Sequence, residues 1–137
     1  MPTVKEKNMM NSPLKTAKGL GSAHHGVEHW LSQKITALAN LPLVLWFICS
    51  TVSLYAKGAS YEAFTAWVAQ PLNTTLLVAM FISVFYHAKL GAQVVTEDYV
   101  SCGALKKAKL IAQKLFFALI TVASIVCVLK IAFTAGM

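Results

Sequence analysis

Arginine is absent from this chain of 137 residues: its basic side chains are all lysine, twelve of them. Charge is scarce altogether, at 12% of residues, where an ordinary soluble domain carries about 25%. Five acidic residues oppose the lysines, leaving a net charge of +7. Cysteine is limited to Cys49, Cys102 and Cys127. No CxxC spacing occurs, so neither a zinc site nor a disulfide framework is expected. Cys49 and Cys127 fall inside apolar runs and read as buried small hydrophobes, whereas Cys102 falls in a loop. Also missing are a GxGxxG fingerprint and a cysteine set able to hold an iron–sulfur cluster. The chain alone is therefore not a flavin or iron–sulfur enzyme. It contains no internal repeat and no low-complexity tract.

What the chain has in excess is apolar surface, 57% of its residues. At this length it makes at most one domain, and the composition points to a membrane protein. A helical crossing takes roughly 20 mostly apolar residues. Three segments qualify: about 35–56, about 72–95 and about 112–135. The expected fold is an all-α membrane protein with three transmembrane helices. Pro42 in the first span is tolerable there, with a kink expected. Between the first two spans, Tyr61, Phe64 and Trp67 recur at helical spacing and predict a short interfacial helix with an aromatic belt.

Lysine placement gives an orientation. Lys5, Lys7, Lys15, Lys18 and Lys34 precede the first span, and Lys106, Lys107 and Lys109 lie between the second and third, with Lys114 at the edge. The first connection carries only Lys57. Three crossings put both lysine-rich segments on one side, which by the positive-inside rule is the cytoplasm or the mitochondrial matrix. The N-terminus is then inside and the C-terminus outside. Lysines beside apolar runs are helix flanks, which argues against a nucleic-acid partner and for the lipid bilayer. Residues 1–34 read as a polar tail and the approach to the first helix, and 35–135 as the anchor domain. The tail has no apolar core like that of a secretory signal, and without arginine it is a poor mitochondrial transit peptide. A bacterial inner membrane is favoured over the mitochondrial inner membrane.

The second span ends in unusual chemistry, YHAKLGAQVVTEDYV over residues 86–100. At about 100° per residue, His87, Gly91 and Asp98 share one helical face, with Tyr99 beside Asp98. An imidazole in hydrocarbon serves as a structural hydrogen-bonder, a proton relay, a pore lining or a metal ligand. Glycine one turn away is what a porphyrin held edge-on by a histidine needs, though small residues also serve plain helix packing. Asp98 and Tyr99 read either as a solvated helix end or as a quinone site, with the phenol donating to a carbonyl oxygen and the carboxylate passing protons. Lys89 points to a different face from His87 and is expected to snorkel.

The segment HAKLGAQVVTEDYV closely resembles the signature of the smaller hydrophobic anchor subunit of succinate dehydrogenase, respiratory complex II. GSAHHGVEHWLSQKITALAN upstream resembles that family's approach to its first helix. The resemblance covers about residues 21–135. It implies that His87 is an axial metal ligand of haem b, in a bundle of which this chain forms half. It also implies that Gly91 and Lys34 line the haem pocket, and that Tyr99 hydrogen-bonds ubiquinone with Asp98 close by. The second haem ligand would come from a companion anchor subunit of cytochrome b type. His24, His25 and His29 then read as surface or loop groups. Lys34 stands where the family often has arginine, so it keeps the charge without the bidentate fork. The implied partners are that second anchor, an iron–sulfur subunit and a flavoprotein subunit. The implied function is membrane attachment and passage of electrons from succinate to quinone. A fumarate reductase anchor, a small proton-relay or transport protein and a purely structural tether are the competing readings.

Overall fold

Four α-helices account for nearly all of the computed structural model, which describes residues 26–58 and 60–135. The expected tail over residues 1–22, with His24 and His25, lies outside them. α1 is Gly26–Ala56, α2 Tyr61–Ala69, α3 Pro71–Tyr99 and α4 Gly103–Thr134. No strand occurs among the described residues. α1, α3 and α4 are each long and apolar enough to cross a membrane. Contacts divide the chain at Trp30 and Leu31; the tertiary relationships below all lie within the unit that begins at Leu31.

The spans fall where hydropathy puts them, but the helices overrun them. α1 begins at Gly26, α3 continues through Asp98 and Tyr99, and α4 starts at Gly103 rather than near residue 112. The reason is that hydropathy marks only the hydrocarbon crossing, while backbone hydrogen bonding carries a helix into the polar interface. α1 runs through Pro42 without interruption.

The turns follow from local chemistry. After α1, Gly58 takes φ +82°, a left-handed conformation suited to glycine, and its N–H bonds Tyr55 O. Ser60 caps α2 by accepting from the Ala63 N–H at 3.1 Å. The expected short helix is thus present. Pro71 opens α3, where a missing N–H costs nothing. Asn73, buried at that corner, donates to Trp67 O at 2.8 Å and to Gln70 Oε1 at 3.1 Å, tying the end of α2 to α3.

Val68 of α2, Leu77 and Met80 of α3 and Val128 of α4 form the buried cluster, flanked by Leu43, Trp46 and Phe47 of α1. Trp46 stacks on Trp67 with ring centroids 5.8 Å apart. α3 and α4 pack as the close pair, with α2 resting on both; α1 meets them through side chains. The contacts pair the second half of α1 with the first half of α3, so these helices run antiparallel.

α1 buries none of its residues in this chain. Leu38, Leu41, Leu45 and Val52 are all exposed, and so much exposed apolar surface demands cover from lipid or another chain. Cys49 and Cys127 correct the sequence reading. Both are exposed in this chain; Cys127 borders an open apolar pocket beside Val68, Leu77 and Val128, and Cys49 one beside Trp46 and Trp67, so the small core does not close over either. Cys102 sits in the α3–α4 connection as expected, at the N-cap of α4.

Candidate functional site

A polar seam runs between α1 and α3. Thr36 Oγ1 lies 3.0 Å from His87 Nδ1. Ser32 and Asn40 lie one turn either side of Thr36 on the same face of α1, and Ser83 and Gly91 one turn either side of His87 on α3. All six residues are only partly exposed. Asn40 Oδ1 and Ser83 Oγ are buried without a hydrogen-bond partner among the described residues.

Proton accounting fixes the roles at the centre of this seam. Thr36 Oγ1 is also 2.8 Å from Ser32 O and 3.2 Å from Gln33 O. A carbonyl oxygen cannot donate, so the single hydroxyl proton is committed to the backbone. With that proton on the backbone, Thr36 Oγ1 accepts from His87 in the tautomer that carries its ring proton on Nδ1. In the neutral imidazole this leaves Nε2 as the lone-pair nitrogen, the form in which histidine ligates a metal. No described residue hydrogen-bonds Nε2.

Gly91 widens the seam. A Cβ built there would meet no heavy atom within 4 Å, so packing inside this chain does not require glycine. The space beside the imidazole is open to a flat group or to another chain. Among the described residues no three metal-ligating side chains gather. The Nε2 left by the Thr36 contact and the open space beside it at Gly91 fit what one protein ligand to a haem requires.

The C-terminal end of α3 is tied down just before Asp98. Thr96, only 1% exposed, accepts from Gln113 Nε2 at 2.8 Å. Lys106 Nζ donates to Glu97 O at 2.7 Å, and Gln93 Nε2 to Glu97 Oε1 at 2.8 Å. Asp98 and Tyr99 project beyond these bonds and are exposed, Tyr99 to 83%. His87 is about 16 Å along the helix from Asp98. The structure thus brings His87 and Gly91 together in the seam and leaves Asp98 and Tyr99 as a separate exposed pair.

Lys34 is exposed and stands about 160° around α1 from Thr36, off the face that meets His87. His29 is partly exposed, and its Nε2 is buried without a partner among the described residues. Thr36 is the residue that sequence reasoning missed. Its signal was present as Ser32, Thr36 and Asn40 at four-residue spacing, a polar stripe on an apolar helix that matches Ser83, His87 and Gly91 on α3.

Residues 8–129 match the family described as the succinate dehydrogenase/fumarate reductase transmembrane subunit. Among curated proteins, the succinate dehydrogenase hydrophobic membrane anchor subunit of Rickettsia bellii (strain RML369-C) is 41% identical over 112 residues, covering 82% of this chain and 88% of its own length. The anchor subunit of the same name from Rickettsia conorii (strain ATCC VR-613 / Malish 7) is 33% identical, covering 80% of this chain and 86% of its own length. That of Paracoccus denitrificans is 34% identical, covering 71% and 74%. No solved structure matches. Three apolar helices and these relatives agree with a multi-pass protein of a bacterial inner membrane. The chain belongs to the family of succinate dehydrogenase membrane anchor subunits.

Proposed function

We propose that this chain supplies one axial ligand, His87, to a haem b shared with a second anchor subunit, and a quinone contact through Tyr99. The observation that supports the reading is the 3.0 Å contact of Thr36 Oγ1 with His87 Nδ1, which engages one ring nitrogen and leaves Nε2 as the nitrogen available to a metal. A bound haem b supplies a one-electron carrier inside the membrane. Gly91 leaves the space its edge needs, and Lys34, near the start of the same bundle, offers a positive charge for a propionate at the end of a long, flexible stem.

At the inner surface the Tyr99 phenol donates a hydrogen bond to a ubiquinone carbonyl oxygen. The Asp98 carboxylate beside it takes up and passes protons from water as the quinone is reduced. Succinate is oxidised on a flavoprotein subunit, with an iron–sulfur subunit carrying electrons to the membrane, and this chain is not catalytic alone. The lysines that precede the first span, and Lys106, Lys107 and Lys109 at the start of α4, support an inner side where those subunits dock. The matched family spans both directions of the reaction; the curated relatives are dehydrogenase anchors, which favours succinate oxidation.

The test is a reduced-minus-oxidised optical spectrum of the complex purified through a tag on this chain, for wild type and His87→Ala. A b-type signal in wild type that is lost or shifted in the variant is the expected result. An intact wild-type complex with no haem signal would overturn the ligand role.

A further inference from the structure

On the other side of α3 from His87, a groove of about 470 Å³ runs between α3 and α4. Lys89 and Lys114 both line it. Lys89 lies about 160° around the helix from His87, so it serves a different surface from the imidazole and its pocket. The two lysines also stand at one height. Lys89 is ten residues before the end of α3 and Lys114 eleven after the start of α4, each about 15–17 Å from the connection.

From that level the groove continues away from the connection between apolar walls, with Phe85 on α3 and Phe117 and Thr121 on α4. No carboxylate lines it. Lys89 Nζ sits 5.0 Å from the centroid of the Tyr86 ring, which holds the ammonium at the groove. One end of the groove is cationic and the rest is hydrocarbon-like, within a chain that spans a bilayer.

We infer that this groove is a binding site for an anionic phospholipid, its phosphate between Lys89 and Lys114 and an acyl chain along Phe85 and Phe117. Charge complementarity selects the headgroup, and basic pockets between membrane helices near the positive side are suited to such lipids. The apolar walls select a lipid over free phosphate. The inference is independent of what His87 holds.

The experiment is native mass spectrometry of the intact detergent-purified complex, titrated with phosphatidylglycerol or with phosphatidylcholine. Wild type should bind at least one phosphatidylglycerol in clear preference to phosphatidylcholine. The Lys89→Gln, Lys114→Gln double variant should lose that preference by roughly 30-fold, from about 5-fold per lysine. Lys89→Arg with Lys114→Arg should retain it, and Lys57→Gln, outside the groove, should leave it unchanged. No preference in wild type, or a preference that survives the glutamine pair, would overturn the site. Release of another subunit by the glutamine pair would instead make the groove a protein interface and overturn it equally.

Discussion

Thr36 Oγ1 on α1 and His87 Nδ1 on α3 are 3.0 Å apart, although 51 residues separate them in sequence. This contact links the first two membrane helices inside the seam, and it engages one of the two imidazole nitrogens. Thr36→Val keeps the shape and removes the acceptor. Haem retention by the complex should fall about 10- to 100-fold. The haem that remains should have a raised midpoint potential, because Nε2 becomes a weaker donor to the oxidised iron. Thr36→Ser should restore both. Potentiometric titration checks this; an equal potential in all three proteins would reduce Thr36 to a packing residue.

Gly91 separates room for a ligand from room for packing. A side chain there meets nothing in this chain, and Gly91→Ala should favour the helix by about 0.5–1 kcal/mol. Gly91→Leu fills the space beside His87. Haem per complex, read from the reduced-minus-oxidised spectrum, should drop severalfold for leucine while the helical circular dichroism of the complex holds. Full haem content in the leucine variant would show that the space is not used.

Tyr99 projects into solvent at the end of α3, beyond the Thr96–Gln113 bond that fixes the last turns. Tyr99→Phe removes a phenol hydrogen and little else. Ubiquinone reduction by the complex should fall roughly 10- to 100-fold, with succinate oxidation by a soluble acceptor nearly unchanged. Equal loss of both activities would point to damaged assembly and not to a quinone contact.

Glu62 lies outside the spans, in the first turn of α2. Hydrogen bonding from its own backbone N–H, and then from the Ser60 hydroxyl, holds its carboxyl below the ordinary value of 4.5. A folded-state value below the unfolded one contributes stability above the unfolded value, and that contribution is lost as pH falls through the folded value. Hydrogen exchange at the Ala63 amide should therefore speed up below about pH 4.5, once intrinsic exchange is corrected. Glu62→Gln should abolish that pH dependence, and its persistence in the variant would assign it to another group.

The sequence by itself determined the class of fold and the number of crossings. Apolar runs of spanning length leave a backbone no alternative in hydrocarbon but to close its hydrogen bonds within a helix. It also determined that His87, Gly91 and Asp98 share a face, since helical periodicity is a local property. Four relationships were decided only by tertiary structure. They are the Thr36 partner of His87, the meeting of Lys89 and Lys114 in one groove, the exposure of Cys49 and Cys127, and a first helix that buries nothing in its own chain. Each depends on how far one helix is rotated about its axis against another. Hydropathy cannot report that rotation, because in a membrane the lipid-facing and protein-facing sides of a helix are almost equally apolar.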